Sequence, residues 1–283
     1  MKKLLKRILL VFAALTLISA LTLAYSYYIE PSRLIIKRET VNVPNWSANL
    51  DGFKVVAISD IHGGSNNVTE ERLRLLVNKA NEQAPDLIVL LGDYISEQRH
   101  NRKELRMPVE TISENLRGFQ AKYGVYAVIG NHDWQYNEGE ITAAFERAGI
   151  SVLDNEIIQI KVGDETVNLW GIEDYWKKRR VPVEPLGVLP GRKNIIAVTH
   201  NPDALLKTPA EIAVMLAGHS HGGQVSFPFY GGYPFVNDRR FMAGHAEVEN
   251  KNIFVTTGVG CTGPQIRFRV PPEIAVININ ARK

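Results

Sequence analysis

Cysteine occurs once in the 283 residues, at Cys261. A single thiol excludes an internal disulfide framework and any zinc site built on cysteine. It leaves the compartment open, since cytosolic and exported chains alike can lack disulfides. An excess of one charge is also missing: 33 basic residues stand against 30 acidic ones, a net charge of +3. No run of like charge suggests a nucleic-acid track, and no nucleic-acid partner is expected. No internal repeat of solenoid length is visible. The length suits one large domain with a substantial core, or two small ones.

The N-terminus carries one long apolar run. Residues 1–7 are basic, with Lys2, Lys3, Lys6 and Arg7, and residues 8–28 are free of charge. About 20 such residues span a bilayer as a helix, and Tyr25, Tyr27 and Tyr28 stand where an aromatic belt belongs. We read this as an uncleaved transmembrane anchor. The competing reading is a cleaved signal peptide, for which Thr22-Leu23-Ala24 is a poor site. Four basic residues before the segment, against Arg33, Lys37 and Arg38 after it, point to a single pass with the main domain outside the membrane. Residues 29–46 then form a linker and a first strand, roughly Ile35 to Val43, and residues 47–283 the main domain.

From Phe53 onward a pattern recurs: an apolar strand ends abruptly in a polar residue able to bind metal. Strands ending at Ser59, Leu91, Ile129, Thr199 and Ala217 lead into Asp60-Ile-His62, Gly92-Asp93, Gly130-Asn-His-Asp133, His200-Asn-Pro and Gly218-His-Ser-His-Gly-Gly-Gln224. Glycines around the last pair of histidines let the chain turn tightly, so that both rings reach one cavity. Helical periodicity predicts a helix from Glu70 to Ala84 capped by Thr69, with Leu73, Leu76, Val77 and Ala80 on one face. Pro108 to Ala121 and Ile141 to Ala148 are shorter candidates. Strands alternating with helices argue an α/β core, in which ligands bind beyond the carboxyl ends of the strands. Asn155 to Ile172 reads as a hairpin turning at Gly163-Asp164. Late strands at Phe254–Thr257 and Ile274–Ile279 exceed one simple doubly wound sheet. Lys177 to Pro190 is expected to be a surface loop. Val225 to Ala246 is too broken for regular structure; it is either a packed loop anchored by its aromatics or a wall over the site facing lipid.

Five strand ends thus deliver Asp60, His62, Asp93, Asn131, His132, His200, His219 and His221. These are oxygen and nitrogen ligands, suited to Mn²⁺, Fe²⁺, Zn²⁺ or Mg²⁺. There are too many for one ion. Two ions about 3.5–4 Å apart need a bridging group, for which a carboxylate is suited, and Asp93 is the natural one. His100 and His245 fall outside the pattern and read as surface or loop residues.

These blocks, in this order from about Phe53 to Thr257, closely resemble the calcineurin-like metallophosphoesterase signature. The anchor, Gly222-Gly-Gln224 and Arg267-Phe-Arg-Val-Pro-Pro-Glu273 look like its bacterial envelope-associated branch of YaeI- and YkuE-type phosphodiesterases. The resemblance implies a four-layer α-β-β-α sandwich of two mixed sheets. It implies that Asp60, His62 and His221 hold one metal, that Asn131, His200 and His219 hold the other, and that Asp93 bridges them. His132 would face the phosphate without binding metal, and Asp133 would orient a neighbouring imidazole. Two divalent ions are the implied cofactor, with manganese expected and iron, zinc or magnesium as alternatives.

Such a pair lowers the pKa of a bridging water and neutralises phosphate oxygens, while His132 serves the leaving alkoxide. The expected function is hydrolysis of a phosphodiester or pyrophosphate at the bacterial cytoplasmic membrane, on a membrane-proximal or lipid-linked substrate. One member type in this branch cleaves the pyrophosphate of UDP-2,3-diacylglucosamine, the sharpest candidate. A phosphomonoesterase and a non-catalytic metal-binding scaffold are the alternatives. Arg267 and Arg269 either reach a phosphate or form an exposed strand edge.

Overall fold

The computed structural model describes residues 2–98, 101–189 and 191–282. Two six-stranded mixed sheets face one another. The first runs, in spatial order, Ile35–Val43, Glu273–Ala281, Phe53–Ile58, Leu87–Leu90, Val125–Ala127 and Ser151–Val152. Only the pair formed by Glu273–Ala281 and Phe53–Ile58 is antiparallel. The second runs Gly244–Val248, Lys251–Val255, Val214–Ala217, Ile195–Val198, Glu165–Gly171 and Glu156–Val162, with both outer pairs antiparallel.

The alternation of side chains along each strand builds the layers. On the first sheet Val55, Ala57, Val89 and Leu91 point into the space between the sheets. Their neighbours Val56, Ile58, Ile88 and Leu90 point outward, under the helices Glu70–Asn81, Val109–Leu116 and Asn131–Arg147. On the second sheet Ile196, Val198, Val214 and Leu216 point inward, whereas Ile195, Ala197, Met215 and Ala217 point outward. Burial on both faces is why these strands read as continuous apolar runs. The layer outside the second sheet is made of a short helix, Tyr175–Lys178, and of tight turns at Glu184–Val188, Pro202–Lys207 and Arg239–Phe241. The expected fold class, two mixed sheets with helices outside, is the one observed.

Several elements differ from their sequence reading. The helix after Thr69 stops at Asn81, and Ala84 takes a left-handed conformation that no helix continues through. The helix expected at Ile141 begins ten residues earlier, at Asn131, and is kinked at Asn137, whose φ and ψ are −166° and 89°; that kink hides the periodicity of its first half. Val225–Ala246 is not wholly irregular. It contains a small hairpin, Ser226–Phe227 with Gly231–Gly232, and the start of the strand Gly244–Val248. A further hairpin, Glu97–Gln98 with Asn101–Leu105, was not foreseen. His100 lies outside the described residues. His245 lies on the surface as expected, on the strand Gly244–Val248, and its Nε2 donates to Asn252 Oδ1 at 3.0 Å.

At the N-terminus, Lys2–Ala24 forms a helix with no buried residue. At 1.5 Å per residue it is about 35 Å long, against a hydrocarbon layer of about 30 Å. It is long and apolar enough to cross a membrane, a property an anchor and a signal sequence share.

Candidate metal centre

The candidate ligands sit just past the strand ends, where the backbone bends sharply. Asp60, His62, Asp93, His219 and His221 have φ between 46° and 69°. Non-glycine residues avoid this region at a cost on the order of 1 kcal/mol each, and such strain gathers at functional sites. Glycines make the close approach possible. A Cβ on Gly130 would strike the carboxylate of Asp93, and one on Gly218 would strike Ser59 and Asp60.

The imidazoles are aimed by backbone carbonyls. His62 Nδ1 donates to Ile95 O at 2.9 Å, and His200 Nδ1 donates to Leu91 O at 2.7 Å. Each therefore turns its Nε2 to the cavity, an arrangement usual for metal-binding histidines. His62 Nε2 lies 3.2 Å from His221 Nε2, which lies 3.3 Å from Asp60 Oδ1. His200 Nε2 lies 3.2 Å from Asn131 Oδ1 and 3.1 Å from His219 Nδ1. Asp93 Oδ2 stands between the two groups, 3.7 Å from His62 Nε2 and 3.3 Å from His200 Nε2. Its Oδ1 accepts the backbone N–H of His132 at 2.8 Å.

The donor chemistry fits two cations. Asp60, His62 and His221 bring ligand atoms within 4.8 Å of one another, as do Asp93, His200 and His219. Asp60 Oδ1 is buried without a hydrogen-bond partner, which is costly unless something charged satisfies it. Burial pushes His62 down to about 4 and His219 to about 3, so both are neutral, as ligands must be. Burial also opposes charge on His200, but Asp93, Asp60 and Asp174 outweigh it and push it up to about 10. Burial raises Asp60 to about 6; it would raise Asp93 too, but His200, His132 and His62 hold that carboxyl well below its usual value. The carboxylates thus create a demand for positive charge at the centre.

His132 also brings a ligand atom within 4.8 Å of those of His62 and Asp93, but it stands nearer the surface. Its side chain is 27 % exposed, with Nδ1 3.5 Å from Glu97 Oε2 and Nε2 3.4 Å from Thr262 Oγ1. Burial opposes its charge, but Asp93 and Glu97 prevail and push it up to about 9. It opens on a cleft of about 260 Å³ lined with His62, Glu97, Arg106, Thr262 and Gln265. Sequence reasoning missed Glu97, Arg106 and Thr262, because no motif or periodicity marks them. It also missed Trp176, whose ring packs edge-on at 4.3 Å against His219 and is 41 % exposed.

Residues 53–223 match the calcineurin-like phosphoesterase family. The chain belongs to that family. Among its relatives, the uncharacterized metallophosphoesterase YkuE of Bacillus subtilis strain 168 is 30 % identical, over 91 % of this chain and 89 % of its own. The phosphodiesterase YaeI of Escherichia coli K12 is 28 % identical, over 94 % and 96 %. The UDP-2,3-diacylglucosamine pyrophosphatase LpxG of Chlamydia trachomatis serovar D is 25 % identical, over 94 % and 96 %. As a calcineurin-like phosphoesterase the chain is a hydrolase of phosphoric ester bonds, and members of the family bind a dimetal centre.

Three expectations for individual residues of this phosphoesterase need correction. Arg267 is fully buried. Its Nε and Nη2 donate to Gly260 O, Nη1 to Val270 O and Nη2 to Thr257 O, at 2.6–3.1 Å. The guanidinium faces inward, away from any substrate phosphate, and holds a loop together. Arg269 is exposed, as its alternative reading expected, though on no strand, and it lines a different cavity, with Lys37, Gly222 and Pro271. Asp133 orients no imidazole. Its carboxylate accepts N–H groups of Asp93, Tyr94 and Gly130 at 2.7–2.9 Å, tying two ligand-bearing loops together.

Proposed function

We propose that this phosphoesterase is a membrane-anchored dimetal enzyme that hydrolyses phosphodiester or pyrophosphate bonds of a membrane-proximal or lipid-linked substrate. The observation that carries the reading is the pair of ligand groups meeting at Asp93, with His132 at the rim of the cleft beside them. Asp60, His62 and His221 would hold one ion, Asn131, His200 and His219 the other, with Asp93 shared. Manganese is the ion we propose. When bound, the ions supply a water activated for attack and neutralise phosphate charge.

The remaining work falls to this chain's own groups. Glu97 engages His132 Nδ1–H and keeps the ring charged and oriented. Nε2–H is then the proton offered to the departing alkoxide. Arg106, exposed at the cleft, meets a phosphate oxygen. Asp133 keeps the Asp93 and Asn131 loops in register. Gln224 accepts Thr262 N–H and fixes the wall opposite, at 2.9 Å.

We also propose a cytoplasmic-membrane location with the catalytic domain outside, on the distribution of basic residues around the apolar helix. UDP-2,3-diacylglucosamine is the specific substrate candidate, on the kinship with LpxG. A nucleotide-linked substrate requires the cytoplasmic face, so a reporter fused after Lys283 bears directly on it. The catalytic unit we propose begins with Ile35–Val43 rather than at Ser47, because that strand pairs along its whole length with Glu273–Ala281.

The test uses the full chain in detergent, stripped of metal and reloaded with Mn²⁺. Turnover of an aryl phosphodiester, an aryl phosphomonoester and UDP-2,3-diacylglucosamine is compared, with Asp93→Asn as control. Diester or pyrophosphate turnover that the control lacks is the expected result. Preference for the monoester would make the enzyme a phosphomonoesterase. Two bound metals with no turnover on any substrate would favour a binding scaffold.

A further inference from the structure

Exposed aromatic side chains are concentrated in one place outside the N-terminal helix. Phe227, Phe229, Tyr230 and Tyr233 are 56 %, 106 %, 84 % and 69 % exposed. They lie on and just after the hairpin that pairs Ser226–Phe227 with Gly231–Gly232. Four such rings within seven residues would ordinarily be covered. The root of the hairpin is rigid: a Cβ on Gly223 would strike the backbone of Gly232, so the hairpin sits directly on the glycines that follow His221.

The surroundings of the hairpin identify what covers it. Ser226 N donates to Phe268 O at 2.9 Å, and the rings of Phe227 and Phe268 lie 6.2 Å apart. The next residue back, Arg267, donates its backbone N–H to Ser26 O at 2.9 Å. Asn66 Nδ2 donates to Tyr27 O at 2.7 Å, and Ser26 and Glu30 are buried against the domain. The end of the apolar helix is therefore fastened to the segment that carries the root of the hairpin. Tyr25, Tyr27 and Tyr28 mark the level at which that helix leaves the hydrocarbon. Phe229 is three residues beyond Ser226, a reach of about 10 Å, and the interfacial layer is about 5–7 Å deep on each side of the bilayer. The hairpin tip therefore lies within reach of the layer that tyrosines and phenylalanines favour.

We propose that the aromatic hairpin is a second membrane contact, seated in the same lipid interface as the end of the anchor, and that it holds the catalytic cleft against the bilayer surface. The proposal rests on the anchor reading above. The same segment joins all three parts. Gln224 Nε2 donates to Thr262 O and Pro264 O at 3.0 and 2.7 Å, and Thr262 reaches His132. A lipid-linked phosphate would enter the cleft without leaving the membrane surface. The occupant is lipid rather than a partner protein, because residues 267 and 268 tie the hairpin to the end of a helix whose own partner, on the anchor reading, is lipid.

The test uses the full chain in vesicles of phosphatidylethanolamine and phosphatidylglycerol. Cys261 is buried and is replaced by Ser, so one added cysteine carries an environment-sensitive dye. It is placed by Phe229→Cys, Tyr230→Cys, Leu10→Cys in the anchor, or Val188→Cys on a remote turn, where Val188 is 81 % exposed. Blue-shifted emission at 229 and 230, quenched by nitroxide-bearing lipid while 188 stays unquenched, is the expected result. Position 229 behaving like 188 while position 10 is quenched overturns the hairpin proposal alone. No quenching at position 10 overturns the anchor reading and the proposal with it. A blue shift at 229 without lipid quenching assigns the patch to a protein partner, such as a second copy, and also overturns it.

Discussion

Single residues divide into those that hold charge at the centre and those that shape it from behind. Asp93 belongs to the first kind, shared between both ligand groups. Asp93→Asn removes a full negative charge from between them, and the expected outcome is loss of bound metal, read by elemental analysis, together with loss of turnover. His132→Gln is expected to keep its metal content while turnover falls about 10²–10⁴-fold; metal lost in this variant would show that His132 is a ligand. Glu97 acts through His132. Its carboxylate helps Asp93 hold that imidazolium against burial, at a pKa pushed up to about 9. A rate that needs the protonated ring falls as pH rises through that pKa. Glu97→Gln removes one of the charges that raise it, so the alkaline limb of the pH–rate profile is expected to move to lower pH. A limb that stays in place would show that Glu97 does not set the charge of His132.

At the scale of elements, the loop from Thr257 to Val270 is what the guanidinium of Arg267 organises. Four donations into carbonyls of Gly260, Thr257 and Val270 replace hydrogen bonds that a regular element would supply. Arg267→Leu leaves those carbonyls buried and unpaired. A loss of stability on the order of 3 kcal/mol is expected, read by denaturant unfolding of the full chain. A phosphate-binding role would instead raise KM and leave stability unchanged. Three of the five motif loops follow one logic: a buried strand ends, and Asp60, Asp93 or His219 bends away under a left-handed φ to face the cavity, whereas Asn131 opens a helix and His200 has no left-handed φ. That logic is legible because each motif is contiguous with its strand. Asn131–Arg147 was only half legible, because Asn137 breaks the helical repeat.

At the scale of the molecule, the first strand closes the fold. Ile35–Val43 covers the edge of Glu273–Ala281 through nine residue pairs. A chain begun at Ser47 exposes that edge, and such edges recruit other chains. Deletion to residue 46 is expected to give aggregate on size exclusion, and deletion to residue 29 a monodisperse protein. Equal behaviour of the two would show the strand to be dispensable. The end of the N-terminal helix, the aromatic hairpin and the cleft wall all touch one stretch, 257–270.

The sequence by itself determined the apolar strands, the order of the motifs, and the ligand chemistry that excludes thiolate metals. Each of these depends on residues adjacent along the chain or on a short period. The tertiary structure alone decided that Glu97 and Thr262 flank His132, that Arg106 opens on the cleft, and that Arg267 turns inward to carbonyls. It also decided that Asp133 binds backbone rather than imidazole. Those outcomes depend on loops brought together from distant parts of the chain, and whether a charged side chain meets solvent, a carbonyl or a second charge is fixed only when they pack.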